Sequence, residues 1–191
     1  MISGQWWGAT DAGLIGCRDR SLILLGFSSA FRRSELIGLD TADLDFGRDG
    51  LTVLLRRSKT DQTGAGRKVG IPYGSNPDSC PVRCLKAWIE SSAIDVGPVF
   101  RSINRHGHVQ PGRLSDIDVA RIVKKLATRA GLDAAKYARH SLRAGHATSA
   151  AIAGASERSI MPTGHQSVQM VRRYIRDGNL FRESSGGKLG L

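Results

Sequence analysis

The sequence is poor in cysteine, in aromatic residues and in acidic residues, and it contains no long apolar run. Three cysteines, Cys17, Cys80 and Cys84, form an odd and sparse set, which is typical of a reducing cytosol and argues against a disulfide framework. The longest apolar run, Leu22–Phe27, is far shorter than the ~20 residues of a membrane span. No leader typical of secretion opens the chain. We therefore expect a cytoplasmic protein without a membrane partner.

Signals for a metal ion or a nucleotide are also weak. Cys80 and Cys84 could join His106 and His108 in a zinc site, but the spacing is loose and nothing else supports it. The glycines of the segment 64–66 lack the strand, the helix and the Ser/Thr that a phosphate-binding Walker loop requires. The sequence therefore predicts neither a metal nor a cofactor.

Positive charge is abundant and unevenly placed. The 191 residues include 28 basic and 17 acidic ones, a net charge of +11. From residue 121 onward there are 13 basic and four acidic residues, so the first 120 residues carry an excess of only two. Arginine outnumbers lysine by 21 to seven, and guanidinium is the better bidentate ligand of phosphate. A basic half beside a near-neutral half suggests a surface for a polyanion, and we expect nucleic acid.

Apolar periodicity predicts helices before and after one β-hairpin. Residues 51–55 and 68–71 read as the two strands, joined by a polar and basic tip. Residues 99–100 form a short strand at best, 104–112 a loop, and 40–45 a short connection. The predicted helices cover residues 18–31, 32–39, 81–91, 115–130, 141–153, 156–161 and 167–176. This order predicts a mainly α fold with a small antiparallel β-hairpin sheet, of the α+β class.

Two motifs in the first half carry chemistry that also has an ordinary explanation. Arg32 and Glu35 are three residues apart and share a helix face. Such a pair is most often an ion pair on the surface that contributes little to stability. Lys59 lies at the hairpin tip, where a lysine can reach into a groove. The ordinary explanation is a solvated turn.

Two further motifs lie in the basic half. His140 and Arg143 project from one turn at the start of a helix, where free amides favour an anion, and both can address one phosphate. The alternative is a helix cap with a surface arginine. His165 and Tyr174 are nine residues apart and would face opposite sides of one straight helix. They converge only if His165 lies in the loop before the helix, which Gly164 favours. Taken alone, Tyr174 is an ordinary tyrosine of an amphipathic helix.

The ordered set resembles the catalytic residues of the tyrosine recombinases, the integrase class of enzymes that cut and rejoin DNA at specific sites. The similarity extends roughly from residue 18 to 191. It includes the residues that flank each catalytic position, at 31–36, 58–62, 140–145, 163–167 and 171–174. The resemblance implies a tyrosine recombinase catalytic-domain-like fold and the catalytic set Arg32, Lys59, His140, Arg143, His165 and Tyr174.

The resemblance also implies a mechanism, with a 3′-phosphotyrosyl intermediate. Tyr174 attacks phosphorus, while Arg32 and Arg143 hold the non-bridging oxygens and offset the charge of the transition state. A 5′ hydroxyl of another strand reverses the step. The covalent intermediate conserves the bond energy, so neither ATP nor a metal is needed.

The remaining residues have supporting roles in this interpretation. A phenol is protonated at neutral pH, so His140 helps to remove its proton, with His165 supporting the phosphate. Lys59 donates a proton to the leaving 5′ oxygen. Glu35 orients an arginine or the local backbone. Contacts with the DNA backbone are expected from Arg56, Arg57, Arg172 and Arg173.

The chain departs from the family in its domain organisation. Family members usually carry a separate helical core-binding domain before the catalytic one, and only about 17 residues precede the first family-like helix here. We expect a poorly specified leader at 1–17, a catalytic domain at 18–176, a short tail at 177–191 and no N-terminal domain. The expected partner is double-stranded DNA, bound by a homotetramer on paired sites in the nucleoid.

Three alternatives stay open at this point. The chain is a catalytically inactive DNA-binding remnant of an integrase, a type IB topoisomerase-like enzyme, or a helical structural or RNA-associated protein that resembles the family by accident. The sequence also leaves open which mobile element or resolution system would use a recombinase of this kind.

Overall fold

A computed structural model describes residues 8–56, 66–136, 141–161 and 168–179. The helices are α1 (Gly13–Ser28), α2 (Arg33–Ile37), α3 (Pro81–Ser92), α4 (Asp116–Arg129), α5 (Ser141–Ile152), α6 (Glu157–Ile160) and α7 (Val168–Asn179). The strands are β1 (Leu44–Phe46), β2 (Gly50–Leu55), β3 (Arg67–Pro72), β4 (Arg101–Ile103) and β5 (Val109–Arg113). The predicted class, mainly helical with small antiparallel sheets, is confirmed.

The predicted hairpin is the centre of a three-stranded sheet in the order β1-β2-β3. Strand β2 alternates buried and half-buried residues, as expected where one face covers the core. The expectation of a mere connection at 40–45 was wrong in its last part, because Leu44–Phe46 pairs with β2. Gly50 makes the turn into β2 possible, since a Cβ there would lie 2.1 Å from the carbonyl oxygen of Ile71. Residues 40–45 include three aspartates, which have a low strand propensity, so the sequence contains no signal for β1.

A second, two-stranded sheet corrects the prediction for residues 99–112. Val99 and Phe100 are fully buried core residues that precede β4, and the expected loop contains β5. Pro111 lies within β5, where a missing N–H is tolerated at the edge of a sheet. The Asn104 side chain accepts hydrogen bonds from the backbone N–H groups of the two histidines in the turn and so closes the hairpin.

The main core lies between α1, α3, α4 and the three-stranded sheet. Helix α1 begins at Gly13, five residues earlier than the periodicity predicted, and its buried residues include Leu22 and Leu25. Trp88 of α3 is fully buried, and its indole N–H donates to the carbonyl oxygen of Val99 over 2.8 Å. Helix α4 begins as predicted, with the Ser115 hydroxyl accepting from the N–H of Asp118.

Helices α5, α6 and α7 enclose a second, smaller cluster. Its buried members are Ala147, Ala151, Ile160 and Val171. The predicted small-residue helix therefore does let a neighbour approach closely. Leu142, near the start of α5, belongs to the main core, so α5 joins the two clusters. In the part of the chain that the structure describes, no helix combines the length and the apolar character that a bilayer crossing needs.

Candidate active site

The turn between α1 and α2 is the foundation of the site. Helix α1 ends where the N–H of Ser29 donates to Leu25 and the N–H of Ala30 donates to Phe27. Ala30 is fully buried and adopts a left-handed conformation with φ of +53°. That conformation is costly for a residue with a Cβ and persists only where the surroundings enforce it. The turn places Arg32 at the N-cap of α2.

Glu35 holds Arg32 through both carboxylate oxygens. Oε2 accepts the backbone N–H of Arg32 over 2.7 Å, and Oε1 pairs with Nη1 of its guanidinium over 2.6 Å. Only 4% of the Glu35 side chain and 26% of the Arg32 side chain is exposed. A buried carboxylate with two donors is costly to separate from them, so the explanation as a solvated surface pair does not hold. The orienting role of Glu35 stays a prediction, which these contacts support.

Arg143 reaches the same turn from α5. Its Nη1 donates to the carbonyl oxygen of Ala30 over 3.4 Å, and the side chain is half-buried. Since Ala30 lies two residues before Arg32, the structure brings the two predicted clamp arginines to one turn. Guanidinium groups presented together in this way suit the oxygens of a single phosphate.

His146 follows Arg143 by one helical turn and supports the same contact. Its ring meets that of Phe27 edge-on, with centroids 6.0 Å apart. Burial lowers the pKa of His146, and the nearby charge of Arg143 adds to this, while a hydrogen bond with the Phe27 backbone opposes it. A neutral imidazole therefore packs α5 against the end of α1. The sequence left His146 unassigned, although its spacing from Arg143 was a signal.

Arg33 is a further residue that sequence reasoning missed. Its Nη2 lies 3.0 Å from Oδ2 of Asp116, and its Nη1 donates to the carbonyl oxygen of the same residue. This pair ties α2, which follows Arg32, to the first turn of α4. No local sequence pattern predicts this contact, because the two residues are 83 positions apart in the chain.

Arg56 lies at the end of β2 in an ion pair. Its Nε is 2.5 Å from Oδ1 of Asp43, whose side chain is only 3% exposed, whereas 55% of the Arg56 side chain is exposed. The predicted DNA contact by Arg56 therefore has an intramolecular competitor. Arg57, the neighbouring predicted contact, lies outside the described residues.

Helix α7 carries Arg172, Arg173 and Tyr174, and it packs on α5, the helix of Arg143. Val171 is fully buried in this contact. Arg173 is exposed, and Nε of Arg172 lies 3.0 Å from a carboxylate oxygen of Glu157 in α6. The helix that contains the predicted nucleophile thus packs on the helix that contains Arg143, one of the two predicted clamp arginines.

Three of the predicted residues, Lys59, His140 and His165, lie outside the described residues. In the sequence, Lys59 falls between the end of β2 and the start of β3, His140 directly before α5, and His165 between Met161 and the start of α7. Among the described residues, no three His, Cys, Asp or Glu side chains gather in a way that would hold a metal ion.

The sequence matches the model of the phage integrase family over residues 8–179. An integrase/recombinase xerD homolog of Selenomonas ruminantium is 46% identical over 173 residues, which cover 90% of this chain and 51% of that protein. The tyrosine recombinase XerC of Syntrophus aciditrophicus is 33% identical over 166 residues, covering 84% of this chain and 49% of that protein. The chain spans about half the length of these curated relatives.

Among solved structures, the XerH site-specific recombinase in a post-cleavage complex with its palindromic difH substrate has a TM-score of 0.73. The match is 18% identical and covers 98% of this chain and 51% of that one. This likeness establishes the fold. The tyrosine recombinase catalytic-domain-like fold expected from the sequence is therefore confirmed.

Proposed function

The chain belongs to the phage integrase family, and from this we propose that it forms the catalytic part of a site-specific DNA recombinase. The activity is cleavage and rejoining of DNA strands through a 3′-phosphotyrosyl intermediate. The observation that carries the proposal is the convergence of Arg32 and Arg143 on one turn, with the helix of Tyr174 packed on the helix of Arg143. Clamp and nucleophile thus belong to elements in direct contact.

The clamp arginines are suited to offset charge that grows on phosphate in the transition state. Each has its own anchor, since Arg32 is held by Glu35 and Arg143 by the Ala30 carbonyl. Donors fixed before the reaction need no reorganisation when the charge develops.

The covalent step exchanges one phosphodiester for another. The Tyr174 oxygen attacks phosphorus, the new bond to tyrosine forms, and the bond to the 5′ oxygen breaks. In our proposal His140 accepts the phenolic proton with support from His165, and Lys59 donates a proton to the 5′ oxygen. The reverse reaction with a 5′ hydroxyl of another strand releases the enzyme, without metal or ATP.

Double-stranded DNA is the proposed partner. The basic excess from residue 121 onward, together with Arg57, Arg172 and Arg173, supports contacts with the phosphate backbone. Exchange of four strands requires four nucleophiles, so we propose a homotetramer on paired sites. The relatives named above are integrases or recombinases. These names do not favour the alternatives of a DNA-binding remnant or a type IB topoisomerase.

Covalent capture tests the proposal. Nicked duplexes tiled from the DNA that flanks the protein's own gene let a short 5′-hydroxyl fragment diffuse away and trap the intermediate. We expect a protein–DNA adduct on denaturing gels, and we expect Tyr174→Phe to abolish it while DNA binding persists.

Tyr73→Phe is the matched control, because Tyr73 is a partly exposed tyrosine that lies outside the proposed site. An adduct that survives Tyr174→Phe would overturn the assignment of the nucleophile. Salt-sensitive DNA binding without any adduct would instead favour the inactive remnant. Relaxation of supercoiled plasmid without sequence preference would favour the topoisomerase.

A further inference from the structure

A network of ion pairs joins the end of β2 to the segment that follows α2. Oδ2 of Asp43 accepts the backbone N–H of Asp40 over 2.9 Å, and its Oδ1 lies 2.5 Å from Nε of Arg56. Asp40 in turn pairs with Nη2 of Arg113 over 2.7 Å and lies 3.9 Å from Nη1 of Arg56. Three segments that are distant in sequence are thereby tied at one point.

This network borders the proposed active site. A cavity of about 360 Å³ is lined by Ser34 and Glu35 of α2, by Gly38 directly after that helix, and by the end of β2. Its lining includes Arg56, Asp40 and Asp43 as well as Glu35, the carboxylate that holds Arg32. The anchor of β2 therefore lies across a single cavity from the anchor of the first clamp arginine.

The burial of Asp43 makes its ion pair with Arg56 hard to exchange. An exposed ion pair contributes little to stability. The side chain of Asp43 is almost fully buried, however. Removing the cation that pairs with a buried carboxylate strongly destabilises the folded protein. Arg56 would leave this partner only at a cost if it moved to a DNA phosphate. The geometry thus favours a role inside the protein over the DNA contact expected from the sequence.

We propose that Asp43 and Arg56 are positioning residues for Lys59, the proposed general acid. Lys59 follows Arg56 by three residues, and three residues of fully extended chain span at most ~11 Å. Fixing Arg56 to the body of the protein therefore limits where the lysine can lie. The inference rests on the proposed function, in which the Lys59 ammonium gives its proton to the 5′ oxygen as the bond from that oxygen to phosphorus breaks.

The test compares two DNA strands that differ in one atom. In the first the leaving atom is the natural 5′ oxygen, and in the second it is a bridging sulfur. A thiol has a pKa near 8.5, so the sulfur leaves as a thiolate without a proton donor. A defect in general acid catalysis therefore disappears on the sulfur strand, whereas a general loss of structure does not.

We expect Asp43→Asn and Arg56→Gln to slow cleavage of the oxygen strand by about tenfold or more, part of the ~100- to 10,000-fold that a general acid contributes. On the sulfur strand both variants should cleave within about threefold of the wild type, as should Lys59→Ala, since no acid is needed. Arg56→Lys keeps the charge and should restore part of the rate. Arg105→Gln removes an exposed arginine of the β4–β5 hairpin, which lies outside the basic half of the chain, and should leave both rates unchanged.

DNA binding at several salt concentrations separates the two roles of Arg56. A phosphate contact contributes about one unit to the slope of log K against log salt, whereas a positioning residue contributes nothing to it. We expect Arg56→Gln to keep the wild-type slope. A slope reduced by about one unit would overturn the proposal in favour of a DNA contact.

Equal slowing on both strands, or no slowing on either, would also overturn the positioning role. These results differ from a failure of the proposed function, which would appear in the wild type as no adduct on either strand. They differ as well from a wrong assignment of the acid, in which Lys59→Ala itself is not rescued by sulfur. Melting temperatures of all variants identify any loss of folding, and Arg56→Lys tests the network without removing a charge.

Discussion

Nη1 of Arg143 donates a hydrogen bond to the carbonyl oxygen of Ala30 over 3.4 Å, two residues before Arg32 in the chain. The bond connects α5 with the turn that ends α1. A main-chain oxygen accepts it, so the position of this arginine depends on the backbone conformation of the turn. The position of Arg143 relative to Arg32, the other proposed clamp arginine, therefore depends on the turn at Ala30 and on the packing of α5 on α1.

Glu35 should matter for both stability and catalysis. Glu35→Ala removes the acceptor of the Arg32 amide and the partner of its guanidinium, so we expect a loss of about 2–3 kcal/mol in unfolding free energy. Glu35→Gln keeps an acceptor and should lose about 1 kcal/mol. Urea denaturation measures both. Single-turnover cleavage should fall about tenfold or more in each variant, because Arg32 loses its preorganised position.

Glu90→Gln, on the exposed face of α3, is the control and should behave as the wild type. Unchanged stability and cleavage in Glu35→Ala would show that the buried pair does not position Arg32.

The left-handed turn at Ala30 has a counterpart that allows a matched comparison. Ala93, which follows α3, has a φ of +51° and is exposed. Valine is strained in this region, so Ala30→Val and Ala93→Val should each cost about 1–3 kcal/mol in thermal unfolding. Only Ala30→Val should reduce adduct formation per folded molecule. Equal adduct yields from the two variants would contradict the role of the turn.

His146 should make the stability of the protein depend on pH. Its folded pKa lies below the ordinary value of 6.5, mainly because burial disfavours the charged ring. The unfolded chain therefore binds the extra proton more readily, and stability is fully present above pH 6.5 and lost as pH falls toward the folded pKa. Urea titrations between neutral and mildly acidic pH should show this loss in the wild type and a smaller one in His146→Gln.

His106→Gln replaces an exposed histidine of the β4–β5 hairpin and should keep the wild-type pH dependence. An identical decline in His146→Gln would assign the effect to other groups.

The pair between Glu157 and Arg172 should oppose DNA binding. Glu157→Gln releases Arg172 and removes a negative charge beside α7, so affinity at low salt should rise about two- to threefold, the range of an exposed ion pair. The gain should vanish when Arg172→Gln is added, because the released arginine is then absent. Fluorescence anisotropy with a labelled duplex measures both. A gain that persists in the double variant would reflect overall charge rather than Arg172.

The sequence determined the main elements and the family to which the chain belongs. Helix α4 begins after its predicted cap, Ser115, and the β2–β3 hairpin follows from period-two burial and polar turn residues. These signals are local, because caps and alternation involve residues close together in the chain. Strands β1 and β5 escaped prediction, since aspartates surround the first and Pro111 lies within the second. In both cases pairing with a neighbouring strand outweighed weak propensity.

What only the tertiary structure decided is which charged residues have partners. The sequence alone predicts no role for Arg33, a DNA contact for Arg56 and a catalytic role for Arg143. In the fold they bind Asp116, Asp43 and the carbonyl oxygen of Ala30, which are 83, 13 and 113 residues away in the chain. An arginine costs little to present to DNA when solvent surrounds it, but it is held in place when its partner is a buried carboxylate. Burial is a property of the packed molecule. No sequence pattern therefore distinguishes an arginine that is available to contact DNA from one that pairs with a buried carboxylate of the protein.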